Sequence, residues 1–315
     1  MCFYLNRLSL TSSNPHKNNI LRYKGCRITL LFAIIPSIMA HKNNGAVEPD
    51  PLPSTLYTEE YFLTACEGFE EFTASEGAHL SRRLNDAFKV AEVEPGMKVL
   101  DVGCGRGEIL RHCMHIGIEA YGMDYAEVAT RMTRDVIQAE IDARTADSPK
   151  IVAGACRSDA KKLPFPSNYF DRVLMFDVVE HLHPWELLEA MQEVHRVLTD
   201  DGMFIIHTAP NKAYDQYAYP IVRMIRTMMG QGSAYPKDPR AITPVNQHVH
   251  VNEQDLWSMD RALTEAGFKG NVWLDSPPQN RQENFMMAGL RKLAFDVPPF
   301  RWFFEREVFA VARKR

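Results

Sequence analysis

The sequence lacks paired cysteines, long apolar runs and, over its first 45 residues, any acidic side chain. Its six cysteines form no C-x-x-C pair and no metal-ligand spacing, which excludes a structural zinc site and an iron–sulfur cluster. The apolar run at 28–40 is broken at Pro36 and is too short to span a bilayer. We therefore predict a globular protein with reduced thiols in a reducing compartment, the cytoplasm.

Acidic charge is concentrated in the body of the chain. The whole sequence carries −4 and residues 1–45 carry six Lys or Arg, so residues 46–315 carry −10. An acidic body is poorly suited to a phosphate backbone, which requires clustered cations. Nucleic acid is therefore not an expected partner, and a small molecule is the expected substrate.

The composition predicts three parts. Residues 1–53 form a basic, flexible leader, and two interpretations are open: an extension upstream of a true start at Met39, or a targeting segment. Residues 54–95 form an N-terminal helical cap, in which Thr58 is a good N-cap residue. Residues 96–315 form the main domain.

Three alternating glycines follow a strand-forming stretch. The pattern predicts a strand at Val99–Val102, a loop through Gly103, Gly105 and Gly107, and a helix at 108–113. Glycine lets the backbone turn sharply and lets a ligand lie against it, and the helix start offers free N–H groups. This order is typical of the first strand, loop and helix of a nucleotide-binding α/β domain.

The glycine spacing distinguishes between cofactors. A dinucleotide loop reads G-x-G-x-x-G/A, whereas this one reads G-x-G-x-G and has Glu108 at the place of the third dinucleotide glycine. A carboxylate there would face a pyrophosphate, but it suits a ligand with an ammonium and a positive charge, such as S-adenosylmethionine. Asp101 is placed to orient the loop or to meet that ammonium.

Acidic residues after later strands extend the predicted nucleotide site. Asp124 ends the expected second strand and can accept both ribose hydroxyls, and Asp159 is a candidate acceptor for the adenine amino group. The expected second to fifth strands lie at 118–124, 151–153, 170–176 and 203–207. The candidate cofactor-binding residues are Asp101, Gly103, Cys104, Gly105, Gly107, Asp124, Tyr125, Asp159, Ala160 and Asp177.

The ordered motifs VLDVGCGRG, DA…LPFP…YFD, DVVEHL and LTDDG resemble class I S-adenosylmethionine-dependent methyltransferases over about residues 95–210. They are similar to the branch that holds ubiquinone-pathway O-methyltransferases and many small-molecule methyltransferases. The resemblance implies an α/β, Rossmann-like three-layer sandwich with a seven-stranded, mostly parallel sheet. It implies the strand order 3-2-1-4-5-7-6 with an antiparallel last strand, for which 303–312 is the candidate, preceded by 270–274.

The implied function is methyl transfer from S-adenosylmethionine to a small, partly apolar molecule, with oxygen as the expected acceptor atom. A quinone, a lipid, a polyketide or a glycan-like molecule would each fit. Two alternatives remain open: an NAD-dependent Rossmann oxidoreductase and a non-catalytic S-adenosylmethionine-binding regulator. The sequence does not determine the oligomeric state.

An insertion at about 209–251 is predicted to be a substrate lid, because α/β sheets bind substrates beyond the carboxyl ends of their strands. Apolar residues recur in it at helical spacing from Ala218 to Met229, while Arg223 and Arg226 lie on another face. The helix could form an apolar floor for the substrate, pack on the domain, or contact a membrane surface.

His181 is the candidate catalytic base, because it follows the fourth strand and histidine titrates near neutral pH. A histidine that only fixes its loop is the alternative. No metal ligand is assigned, although the resemblance extends to a D-x-x-E-H motif that binds metal in some ubiquinone-pathway O-methyltransferases. Here that motif comprises Asp177, Glu180 and His181, with His248 or His250 as a further candidate ligand.

Overall fold

The protein is built around one twisted sheet, seen in a computed structural model that describes residues 48–66, 68–75, 77–145, 151–275 and 285–315. The predicted leader, including Met39, lies outside the described residues up to residue 47. Seven strands pair in the order β3-β2-β1-β4-β5-β7-β6, which confirms the predicted topology. The strands are β1 Lys98–Val102, β2 Glu119–Asp124, β3 Ala153–Arg157, β4 Phe170–Phe176, β5 Leu198–Thr208, β6 Phe268–Asp275 and β7 Glu307–Lys314.

Strand direction also agrees with the prediction. The first five strands pair in parallel, whereas β7 runs antiparallel to both of its neighbours, β5 and β6. Parallel pairing places the carboxyl ends of β1, β2 and β4 at one edge of the sheet, so the loops that follow these strands meet there. The Rossmann-like fold is thus confirmed.

Three strands differ from their predicted positions. The fifth was predicted to begin at Met203, but it begins at Leu198, which pairs with Phe170 of β4. The third was predicted at 151–153 but begins at Ala153 and pairs along β2 to Arg157. The last was predicted to begin at Phe303, but residues 301–304 form a short helix and the strand begins at Glu307. For the third and the last strand, a run of apolar residues set the predicted boundary, whereas hydrogen bonding to the neighbouring strand sets the real one.

Helices cover both faces of the sheet and make a three-layer sandwich. On β4, Val173 and Met175 face one apolar cluster, while Leu174 and Phe176 face the other. Such burial on both faces explains why parallel strands read as continuous apolar runs. The α-helices are α1 Phe69–Ser75, α2 Arg82–Val90, α3 Glu108–His115, α4 Glu127–Asp142, α5 Pro184–Val197, α6 Tyr219–Met228, α7 Asn246–Val249, α8 Leu256–Glu265, α9 Phe285–Asp296 and α10 Arg301–Phe304.

The residues before β1 form a small helical layer. Thr58 accepts a hydrogen bond from the backbone N–H of Tyr61 at 3.2 Å, as its predicted capping role requires. Ser81 caps α2 in the same way, accepting from Leu84 at 3.3 Å. Among the described residues, no helix is both long and apolar enough to cross a membrane.

Candidate active site

A cavity of about 160 Å³ opens at the carboxyl ends of β1, β2 and β4. The glycine-rich loop lies on one side, and Tyr57, Tyr61 and Phe62 of the N-terminal layer lie on another. Most of the candidate cofactor-binding residues line this cavity together with the candidate base: Asp101, Gly103, Cys104, Gly105, Asp124, Tyr125, Asp159, Ala160, Asp177 and His181.

The three glycines of the loop have different surroundings. At Gly103 (φ 83°) a Cβ would collide with Val178, so this glycine lets the loop after β4 approach. At Gly105 (φ 50°) a Cβ would meet only Phe62, at 3.8 Å. Gly107 does not line the cavity: its Cβ would lie 3.0 Å from Thr133 Cα, so it lets α3 begin close against α4. Gly105 therefore has the most room beside it for a ligand.

Two buried aspartates stand beside the glycine loop. Asp124 accepts hydrogen bonds from the backbone N–H groups of Gly105 at 3.1 Å and of Ala126 at 2.8 Å. Burial raises the pKa of Asp124 to about 6. Burial and the charge of Asp124 raise the pKa of Asp101 to about 8, with Glu108 adding to the repulsion. This corner of the cavity therefore suits a cationic group of a ligand, because a nearby positive charge would favour ionisation of Asp101 and Asp124.

Glu108 does not present a free charge to the cavity, because Arg106 neutralises it. The Arg106 Nε lies 2.9 Å from a Glu108 carboxylate oxygen, and both side chains are buried. Arg106 also donates to the carbonyl of Phe62 at 2.8 Å and lies over the Phe72 ring. The pair therefore ties the helical layer to the loop, a role that the sequence pattern did not reveal.

Asp159 also has a cationic neighbour. Lys161 Nζ lies 2.9 Å from Asp159 and 2.7 Å from Glu186, and all three side chains line the cavity. The backbone N–H of Lys161 donates to Asp159 as well, at 2.9 Å. Lys161 thus holds the Asp159 carboxylate in one orientation in the cavity wall.

Asp177 opens the loop after β4 and is held by a buried ionic network. Its φ of 54° lies in the left-handed region, which is uncommon for a non-glycine residue. Arg83 Nη1 donates to both carboxylate oxygens at 3.3 Å, and His207 Nδ1 donates at 2.9 Å. Although burial opposes it, the charges of Arg83 and His207 hold the pKa of Asp177 well below its usual range. The carboxylate stays ionised and fixes the loop.

His181 lies on a short 3₁₀ helix in that loop and faces the cavity. Its Nδ1 is 3.0 Å from the carbonyl oxygen of Val249, which can only accept, so Nδ1 carries the hydrogen and Nε2 keeps its lone pair. The Tyr57 ring packs edge-on against the imidazole, with centroids 5.7 Å apart. Burial lowers the pKa of His181 to about 4, so the ring is neutral near neutral pH.

Two further titratable side chains lie next to His181. Glu180 is buried and accepts a hydrogen bond from Thr208 at 2.7 Å, and burial together with Asp177 raises its pKa to about 8. The His250 ring is 5.1 Å from that of His181. Its buried Nδ1 has no hydrogen-bond partner within the described ranges.

Comparison with known proteins identifies the family to which the chain belongs. A methyltransferase domain matches residues 100–206. The ubiquinone/menaquinone biosynthesis C-methyltransferase UbiE of Bordetella parapertussis is 35% identical over 207 residues, which cover 61% of this chain and 71% of UbiE. The chain belongs to the class I S-adenosylmethionine-dependent methyltransferases. S-Adenosylmethionine is therefore the cofactor, and methyl transfer is the activity. These findings exclude the two alternatives, an NAD-dependent oxidoreductase and a non-catalytic regulator.

Other relatives agree with this family. Sterol 24-C-methyltransferase ERG6B of Gibberella zeae is 35% identical over 116 residues, which cover 36% of this chain and 28% of that enzyme. The crystal structure of the PH0226 protein from Pyrococcus horikoshii covers 84% of this chain and all of its own, with a TM-score of 0.51 and 16% identity. At that identity the second comparison concerns the fold alone.

The cavity of this methyltransferase suits its cofactor. Aspartates beside the loop match a ligand with an ammonium group and ribose hydroxyls, because carboxylates accept from both. The apolar and aromatic side chains of the lining, including Leu52 and Tyr61, match an adenine ring and a methyl group. Space remains beside Gly105, where a side chain would otherwise stand.

The metal set implied by the D-x-x-E-H motif is assembled differently. Asp177 is already paired with Arg83 and His207. Instead, one ligand atom each from Glu180, His181 and His250 lies within 4.8 Å of the other two. Two neutral imidazoles and a carboxylate are a reasonable donor set for a divalent ion.

The predicted lid contacts the site only at its end. The N–H groups of Val251 and Asn252 both bond to the carbonyl of Glu180, and α7 supplies the acceptor for His181. Helix α6, which was predicted as a candidate apolar floor, does not line the cavity. The aromatic wall comes instead from the helical layer before β1, where Tyr57 and Tyr61 line the cavity.

Proposed function

We propose that this methyltransferase acts on a small, partly apolar acceptor that binds between the N-terminal helical layer and His181. One observation carries the proposal: a half-buried, neutral imidazole and two tyrosine rings share one cavity with the glycine-rich loop. Apolar walls with a few converging polar groups are typical of sites for small molecules. The acidic body of the chain argues against nucleic acid as the acceptor.

We assign the cofactor contacts as follows. Asp124 accepts from the ribose hydroxyls, Asp101 faces the α-ammonium, and Asp159 accepts from the adenine amino group. The cofactor supplies a methyl group on a sulfonium, and transfer leaves neutral S-adenosylhomocysteine. The chain's own contribution is to align the acceptor with that methyl group and to exclude water. The remaining predicted cofactor contacts, including Tyr125, Ala160, Cys104 and Asp177, belong to the walls of the same cavity.

His181 is the proposed general base. With its Nδ1 hydrogen bonded to Val249, the free Nε2 lone pair can take the proton of an acceptor hydroxyl. A pKa of about 4 makes the imidazole a weak base, but it keeps Nε2 unprotonated over the whole neutral range. A loop-bracing role, the alternative, would require only the Nδ1 contact.

The named activities of the relatives bear on the acceptor atom. Both UbiE and ERG6B are named C-methyltransferases, which favours carbon over the oxygen expected from the sequence. Removing a proton from a phenolic hydroxyl activates the oxygen and the conjugated ring carbons alike, so His181 suits either outcome. We therefore propose carbon as the first acceptor to test and oxygen as the second.

The test is a transfer assay with quinols, phenols, sterols and glycan acceptors, in which S-adenosylhomocysteine formation is followed and products are examined by NMR. We expect turnover with at least one apolar hydroxylated acceptor. His181→Ala should lower kcat by about 10²–10⁴-fold, and His181→Asn, which retains a donor toward Val249, should not restore it. Full activity in His181→Asn would show a bracing role, and absence of transfer to every acceptor class would refute the proposed substrate.

A divalent ion at Glu180, His181 and His250 is a second candidate feature, supported by the convergence of their ligand atoms. Such an ion would acidify an acceptor hydroxyl. Metal analysis of the purified protein should then find a bound ion that is lost in His250→Ala, with a lower melting temperature after chelation. Unchanged metal content and melting temperature in His250→Ala would leave His181 to act without an ion.

The predicted division of the chain remains a proposal as well. We propose that residues 54–95 form a cap over the cofactor and that the 209–251 insertion serves the acceptor end of the site through its last residues. The contacts of Tyr57 with His181 and of α7 with His181 support these two assignments.

A further inference from the structure

Helix α6 presents its apolar side to solvent. Five apolar side chains between 42% and 72% exposed lie at i, i+3, i+4, i+7 and i+8: Ile221, Met224, Ile225, Met228 and Met229. This spacing places them in one stripe along the helix. Single exposed apolar residues are ordinary, but a contiguous stripe of this kind marks an interaction surface.

The outward orientation is fixed by contacts on the opposite side of the helix. Arg223 Nε donates to the carbonyl of Tyr235 at 3.1 Å, and Arg226 lies over the Tyr235 ring and donates to Gln231 at 2.9 Å. Tyr219 is buried and donates to the carbonyl of Pro236 at 2.7 Å. Turning the helix so that the stripe faced the protein would break these hydrogen bonds. The contacts of Arg223, Arg226 and Tyr219 therefore hold the stripe on the solvent side.

The charge around the stripe indicates what covers it. Residues 216–237 contain Arg223, Arg226 and Lys237 but no acidic residue, in a protein whose residues 46–315 carry −10. Asp238, directly after this stretch, is bonded to Arg240 at 3.2 Å. The segment that carries the stripe is therefore locally basic, with Lys237 exposed and with Arg223 and Arg226 on the side of α6 away from the stripe. Its partner should combine an apolar interior with negative charge.

An anionic lipid bilayer has both properties, whereas a second copy of the chain does not. In a symmetric dimer the same basic surface would face itself, because a twofold interface is self-complementary. A helix with an apolar stripe and basic neighbours instead lies in the plane of a membrane interface, with its apolar side chains among the acyl chains.

We propose that α6 docks the protein on anionic membrane surfaces through the stripe from Ile221 to Met229. The segment that carries α6 continues to α7, whose Val249 carbonyl bonds to His181, so docking would hold the site beside lipid-dissolved molecules. Only this consequence for the acceptor rests on the proposed function. Vesicle binding itself does not depend on which acceptor is methylated.

The test is sedimentation of the full chain with vesicles of phosphatidylcholine alone and of phosphatidylcholine with phosphatidylglycerol. The key variant is Met228→Asp with Met229→Asp, since both side chains are exposed and their replacement should not disturb folding. Ile141→Asp on α4 is the matched control, because Ile141 is also an exposed apolar helix residue, at 46%. Lys237→Glu tests the charge.

We expect binding to the anionic vesicles that weakens with salt, falls at least roughly tenfold in the double aspartate variant and is unchanged in Ile141→Asp. Lys237→Glu should weaken it by at least about fivefold. S-Adenosylhomocysteine binding should be the same in all variants, which shows that each is folded.

Three results would overturn the proposal. Failure of the wild-type protein to bind either vesicle type would show that it has no membrane-docking surface of this kind. Binding that survives the double aspartate variant would locate the contact elsewhere, for example in the basic residues 1–45. A dimer in analytical ultracentrifugation that the double variant makes monomeric would show that a second copy covers the stripe.

Discussion

At the residue scale, the two aspartates beside the glycine loop link cofactor binding to protonation. Asp101 has a pKa of about 8, because burial and Asp124 oppose its charge, so it is mostly protonated near neutral pH in the free protein. In the proposed cofactor contact, the α-ammonium would lie beside Asp101, favour its carboxylate form and lower that pKa. Binding should therefore release a proton.

We expect release of up to about one proton per S-adenosylhomocysteine bound near neutral pH, and progressively less as the pH rises through 8, where free Asp101 is already ionised. Calorimetry in buffers of different ionisation enthalpy measures this number. Asp101→Asn should abolish the release. Equal release from the variant and the wild type would show that another group loses the proton.

Asp124 should contribute directly to cofactor affinity. Asp124→Ala removes the proposed charge-assisted acceptor for the ribose and the observed acceptor for the Gly105 N–H, so binding of S-adenosylhomocysteine should weaken by roughly 2–4 kcal/mol. The matched control is Glu127→Ala, an exposed acid at the start of the next helix. Calorimetry that finds the two variants alike would remove Asp124 from the cofactor site.

At the element scale, the cap is attached to the catalytic loop by charge. Helix α2 supplies Arg83 to Asp177, which itself bonds to His207 on β5. Arg82 of the same helix lies 2.6 Å from Glu307 on β7. These contacts join the N-terminal layer, the loop after β4 and two strands in one network. The loop geometry at His181 therefore depends on a helix that lies about 100 residues earlier in the chain.

Arg83→Ala should lower both stability and activity. It leaves the ionised Asp177 with one cationic partner fewer, at a cost of about 2–3 kcal/mol in the free energy of unfolding. Denaturant unfolding and the transfer assay measure the two effects. Lys89→Ala, on the same helix but 59% exposed, is the control and should change neither. A variant with wild-type stability would show that the network does not hold the cap.

At the scale of the whole molecule, residues 49–315 form one compact unit that contains the sheet and the cavity. Among the residues that the structure describes, the first in the cavity wall is Leu52. A protein that begins at Met39 should therefore keep the melting temperature and cofactor affinity of the full chain. Thermal unfolding with and without S-adenosylhomocysteine measures both, and a lower melting temperature of the shorter protein would contradict the interpretation of residues 1–38 as dispensable.

Through its motifs and the family they resemble, the sequence by itself determined the fold family, the strand order and most of the residues that line the cavity. Strand, glycine loop and helix occur within one short stretch, and Asp124 follows at a fixed distance, so local spacing is enough to find them. Strand boundaries were predicted less accurately where an apolar run extends beyond the strand, as at Phe303 before β7.

Tertiary structure decided every property that depends on residues far apart in the chain. Arg106 neutralises Glu108, Arg83 reaches Asp177, and His250 rather than Asp177 joins His181, because folding brings separate elements together. The outward stripe on α6 is the clearest case. Periodicity shows that a helix has an apolar side, but only the contacts of Arg223 and Arg226 fix which side faces the protein.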